Sequence, residues 1–134
     1  NLVFPAMIQQ VTKGIKISIT TNYEGDRYQN SKVYYVFSYS ITIENQSSDT
    51  VQLLNRHWNI HDSLNNTEVV EGEGVVGKKP ILKPKDTYTY SSYCFLLSPI
   101  GSMNGFYQMI NFSTSEKFEV NIPTFQLMIP ATLN

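Results

Sequence analysis

At 134 residues and 15.3 kDa, 41% apolar and 13% aromatic, the chain is long enough to bury one core and too short for two ordinary domains. Ten Lys plus Arg against eleven Asp plus Glu leave a formal charge of −1, which excludes the strong positive field that gathers nucleic-acid backbones. A single Cys, Cys94, excludes an intrachain disulfide and a cysteine-built zinc site, and no apolar run approaches the roughly 20 residues of a membrane helix, so a cytoplasmic protein is expected.

Residues 1–6 precede Met7 and read as a remnant ahead of the native start, which gives one domain over residues 7–134. Residues 11–23 alternate Ile15, Ile17 and Ile19 with Lys16, Ser18 and Thr20, the period-2 pattern of a half-buried strand, and Gly25-Asp26 is expected to end it. Residues 32–45 carry the longest alternation, with Val33, Tyr35, Phe37, Tyr39, Ile41 and Ile43 on one face; a strand of this length is expected to bend or bulge.

Residues 51–62 read as a strand in which Leu54, Trp58 and Ile60 share one parity, Trp58 being the central aromatic of the core against Tyr90, Tyr107 and Met109. Residues 63–66 turn the chain and 67–71 return it. Residues 72–86 hold three Gly, two Pro and four Lys and read as a long loop. Residues 87–95 are a strand with Tyr88 and Tyr90 inward, 98–105 a loop, 106–112 a strand, and 117–122 a strand closed by Pro123. The apolar tail 125–130 is a candidate edge strand or partner contact. About seven strands separated by turn signals, with no sustained helical period, point to an all-β, antiparallel sandwich of the immunoglobulin or fibronectin type III kind.

Gly72-Glu73-Gly74-Val75-Val76-Gly77 satisfies the G-x-G-x-x-G string of dinucleotide-binding folds, but that string works by leading a strand into a helix, which Pro80 and Pro84 oppose. What survives is a nest of amides at Gly72, Gly74 and Gly77 beside Lys78 and Lys79, a candidate for a pyrophosphate-type anion, opposed by Glu71 and Glu73; the alternative is glycines required by a bulge or tight turn. His57 and His61 lie four residues apart on a strand, about 13 Å, too far to share one ion. Cys94 has no orienting partner at recognisable spacing and reads as a small buried hydrophobe, and Ser102 is not placed as in a nucleophile elbow, so no catalytic residue, metal ligand or cofactor is assigned. The two glycines around Ser102, Gly101 and Gly105, read as loop glycines.

Arg56-His57-Trp58, then the run from Gly72 to Gly77, then Pro80-x-Leu82-x-Pro84, then Gly101-Ser102-Met103-x-Gly105-x-Tyr107-x-Met109, in this order and spacing, resemble the ApaG family over about residues 11–123. The resemblance implies a fibronectin type III-like sandwich, found as a small bacterial protein and as a terminal domain of larger eukaryotic proteins, where it is thought to bind other proteins. It also implies a module without enzymatic activity and an unidentified protein partner, with a link by gene neighbourhood to diadenosine tetraphosphate hydrolysis and by name to cobalt and magnesium tolerance. Two residues depart from the family pattern. Tyr93 stands where many members have a Gly, which bears on the loop expected after Ser92, and Lys85 stands where a Pro-Gly turn is frequent.

Overall fold

A computed structural model describes residues 7–131; the expected remnant 1–6 and the last three residues of the domain lie outside the described residues. Among the described residues nine strands form two antiparallel sheets: β1 (Ile8–Thr12), β2 (Ile15–Gln29), β3 (Lys32–Asn45), β4 (Val51–Asp62), β5 (Glu68–Glu73), β6 (Ile81–Leu82), β7 (Thr87–Leu96), β8 (Ile100–Asn111) and β9 (Lys117–Met128). One sheet has the order β1-β2-β3-β7, and the other β5-β4-β8-β9 with β6 also on β4. No helix long and apolar enough to cross a membrane occurs among the described residues.

The sandwich is the architecture expected from the alternation, with nine strands in place of about seven. The two extra strands come from places where the chemistry of a turn was not legible. Lys13 and Gly14 both have positive φ, 49° and 81°, so a tight primed turn divides the first apolar stretch into the hairpin β1–β2. Val76 and Gly77 repeat the device at φ 46° and 76°, and the chain then returns to β4 as β6.

Gly25 does not end β2. An extra residue at Glu24 forms a bulge between the pairs Tyr23–Phe37 and Gly25–Val36, after which the strand continues to a further positive-φ pair, Asn30-Ser31, that opens β3. Pro123 does not close β9 either. The register shifts there, Met103 facing Phe125 and Gly105 facing Ile122, so the proline sits in a bulge where its missing N–H leaves no ladder bond broken, and the tail becomes the end of β9.

The core is filled by the inward residues of both sheets, among them Ile15, Ile17, Ile19, Phe37, Ile41, Ile43, Leu53, Trp58, Tyr107, Met109, Val120 and Ile122. A bulge at Leu54 switches the inward parity of β4 from Val51 and Leu53 to Trp58, so Leu54 does not share Trp58's buried face as expected. That bulge falls where β4 changes partner on one edge, from β6 at Val51–Gln52 to β5 at Asn55–Ile60. Of residues 98–105 only Ser98 and Pro99 lie outside a strand: β8 begins at Ile100, and Gly105 faces Trp58 across the ladder, where a Cβ would stand 1.8 Å from the His57 carbonyl oxygen. Close approach of backbones, and not loop geometry, requires that glycine.

Candidate functional site

The sandwich is closed on one flank and open on the other. On the closed flank β1 lies against β9, with the Asn121 amide donating to Thr12 Oγ1 at 3.3 Å and Asn121 Nδ2 to Gln10 Oε1 at 2.7 Å. On the open flank β7 ends one sheet and β5 the other. The two edges differ in chemistry. Strand β5 carries Glu68, Glu71 and Glu73, charges that discourage another strand from pairing, whereas β7, Thr-Tyr-Thr-Tyr-Ser-Ser-Tyr-Cys-Phe-Leu, has no charge and no proline and pairs with β3 over ten residues without a bulge. The loop expected after Ser92 is absent: Tyr93 continues the strand and points outward at 65% exposure, beside Phe95 at 48%.

Between the two open edges lies a cleft of about 340 Å³. Trp58, Ile60, Val70, Val75 and Met103 give it apolar walls, and Tyr39, Tyr90, Ser92 and Arg56 give it polar groups. Trp58 packs edge-on against Tyr39, Tyr107 and Phe125, with ring centroids 5.5, 6.4 and 5.9 Å away. Met109 is buried, as expected, but faces Leu53 farther along β4. The Tyr90 and Tyr107 hydroxyls hydrogen-bond to each other across the two sheets. Burial pushes the Tyr39, Tyr90 and Tyr107 hydroxyls up from their ordinary range, so all three stay protonated and act as hydrogen-bonding groups.

Arg56 was not among the residues the sequence singled out for a site; the one signal it gave was a cation on the parity of Trp58. Its Nη1 donates to the carbonyls of Glu73 at 2.9 Å and Gly74 at 3.1 Å. Gly72 faces it across the β4–β5 ladder, and a Cβ there would meet both guanidinium nitrogens at 2.8 Å. Next to it His57 stacks on Phe106, centroids 4.7 Å apart and rings 10° from parallel, with Nδ1 2.7 Å from Glu71 Oε1. His61 is instead bonded to Thr67, and no group of three or more metal-ligating side chains occurs among the described residues.

The structure places the anion candidates in a tight turn. The Val75 amide donates to the Lys78 carbonyl at 2.8 Å and the Lys78 amide to Val75 at 2.9 Å, while the Gly74 amide donates to Leu54 at 2.8 Å. Gly72 lies within β5, and Lys79 Nζ is 3.4 Å from Glu73. Gly74 and Gly77 thus serve a turn at positive φ, which glycine adopts freely, Lys78 closes it, and within the turn the amides of Val76, Gly77 and Lys79 enter no described backbone hydrogen bond. Cys94 is buried, which pushes its thiol up to about 12, far from the thiolate that a nucleophile needs.

Fold and site together define a fibronectin type III-like β-sandwich with an uncharged edge strand, β7, and a cleft beside it. The ApaG domain family model matches residues 25–111. The Protein ApaG of Mesorhizobium japonicum is 44% identical over 126 residues, covering 94% of this chain and 96% of its own, and that of Vibrio cholerae serotype O1 is 46% identical over 120 residues, covering 90% and 94%. The crystal structure of a putative ApaA protein from Bordetella pertussis superimposes with a TM-score of 0.81 at 36% identity, covering 98% of this chain and all of that one. The chain belongs to the ApaG family, whose members carry that name without an enzymatic activity in it.

Proposed function

We propose that this ApaG-family sandwich is a protein-binding module that receives an extended segment of a partner as an added strand on the free edge of β7. The observation that carries this reading is the contrast between edges: among the described strands β1 and β9 cover each other, β5 is acidic, and β7 offers a row of ten residues without charge, proline or bulge. A flat, uncharged edge of ten residues is an aggregation hazard unless something occupies it. Main-chain pairing supplies affinity in such complexes, and alternate side chains supply selectivity. Outward-facing Tyr93 and Phe95 extend the contact onto the face of the sheet.

The variant Tyr93→Lys places a charge on this edge at an exposed position without touching the core. Affinity capture followed by quantitative mass spectrometry is expected to recover reproducible partners with the parent chain and to lose them at least fivefold with the variant. No reproducible partner, or equal recovery by both, overturns the reading. A pyrophosphate-type anion at residues 74–79 is the lesser reading, supported only by Lys78 and by the turn amides that no described backbone hydrogen bond uses.

A further inference from the structure

The cleft beside β7 holds a cation and no anion. Arg56 is the one charged side chain among its lining residues, and it is half-buried. Its Nη1 is pinned to two backbone carbonyls, while neither Nη2 nor Nε is used in any described hydrogen bond. The hollow on its other flank includes Glu71, Glu73 and Glu119, yet among the described residues no carboxylate comes within ion-pair distance of Arg56, Glu71 being turned to His57 and Glu73 to Lys79. A half-buried guanidinium that is bonded only to two carbonyls, with no carboxylate at ion-pair distance, keeps donors able to pair with an incoming carboxylate.

We infer that the segment added to β7 carries a glutamate or aspartate whose carboxylate enters this cleft and pairs with Arg56. The inference rests on the edge-binding reading. A strand laid beside β7 runs about 4.8 Å beyond it, and every second side chain projects into the space between the sheets. Those side chains share the inward parity of Tyr90, Ser92 and Cys94, of which Tyr90 and Ser92 line the cleft. The position beside Ser92 looks toward Arg56, so an acidic residue there completes a charge-assisted, fork-shaped pair. Inward positions two residues to either side meet Val70, Val75 and Ile60 and call for apolar side chains. The Tyr39, Tyr90 and Ser92 hydroxyls line the same space; Tyr90 is bonded to Tyr107 and Ser92 to Tyr39, which leaves the Tyr39 hydroxyl as a further donor to a carboxylate.

The test is selection of a displayed library of random ten-residue peptides on the immobilised chain, followed by amide-exchange mapping of the winners. Expected are convergent peptides that protect the amides of β7, with Asp or Glu at one position and apolar residues two places away on both sides. Replacing that Glu by Gln in the synthetic peptide is then expected to weaken binding at least tenfold with the protein untouched, and Arg56→Lys to weaken the Glu peptide much more than its Gln counterpart. Peptides that protect β7 with no acidic preference, or a Gln peptide that binds equally, overturn this inference and leave the edge reading standing. Selection that yields no peptide protecting β7 overturns the edge reading and this inference with it.

Discussion

Arg56 stands where a side chain at residue 72 would begin: a Cβ on Gly72 would lie 2.8 Å from both Nη atoms and 2.9 Å from Cζ. The glycine that heads the phosphate-like string is therefore a seat for a guanidinium. Gly72→Ala is expected to shift Arg56 and loosen its bonds to the carbonyls of Glu73 and Gly74; because the clash is with the far end of a flexible, half-exposed side chain the cost is small, about 0.5–1.5 kcal/mol. Urea unfolding of Gly72→Ala, Arg56→Lys and the double variant checks this. The two changes should be strongly non-additive, because the second removes what the first has already displaced; simple additivity would separate Gly72 from Arg56.

Lys85 occupies the third position of the turn Lys83-Pro84-Lys85-Asp86, closed by the Asp86 amide on the Lys83 carbonyl at 2.9 Å, and its φ is 75°. Proline then a positive-φ residue is the geometry that glycine fits best, so the departure from a Pro-Gly turn leaves the turn intact with a strained lysine in it. Relief of about 1–2 kcal/mol of strain, offset by about 0.4–1 kcal/mol of added unfolded-chain entropy, leaves Lys85→Gly more stable by roughly 0.5–1 kcal/mol. A lowered melting temperature in this variant would contradict the turn assignment.

Much of the sandwich was legible because alternation reports burial directly. Ile15, Ile17 and Ile19 and the run from Phe37 to Ile43 face the core as their spacing requires. The illegible parts are those where one residue more or less reverses the pattern: the bulge at Leu54 reverses the parity of β4, and those at Glu24 and Pro123 let strands pass residues that ordinarily end them. Asn30-Ser31 turned unseen because Ser at positive φ carries no strong turn signal. Of the site, Trp58, Tyr90 and Tyr107 were legible as core aromatics. Arg56 was not, since its meaning depends on Gly72, sixteen residues later and opposite it in the ladder.

Asp62 closes the far end of the sandwich by accepting from the Leu97 amide at 2.7 Å and from the Ser98 hydroxyl. Burial works to raise its pKa, but the Ser98 hydroxyl and the amides of Leu97 and Leu64 prevail and hold the carboxyl below its ordinary value of 3.8. A depressed folded-state pKa contributes stability that is fully present above the unfolded value and is lost as pH falls through the folded one, so the window lies below about pH 4. Asp62→Asn should flatten the acid limb of the stability–pH curve and leave its shape near neutrality unchanged. Parallel acid limbs for parent and variant would mean that Asp62 is not the group responsible.

The turn from Gly74 to Lys79 offers the sharpest separation of the two ligand classes. With the amides of Gly74, Val75 and Lys78 bonded within the fold and Lys79 Nζ beside Glu73, the turn has only the amides of Val76, Gly77 and Lys79 outside the described backbone hydrogen bonds. Attraction by exposed Lys78 is screened over about 8 Å at physiological salt. Titration with pyrophosphate near 0.15 M salt is therefore expected to shift the amide resonances of residues 72–79 weakly and without saturation below about 1 mM, corresponding to no more than about −4 kcal/mol. A saturable shift at lower concentration, abolished by Lys78→Ala, would establish the turn as an anion site and displace the β7 edge as the leading binding surface.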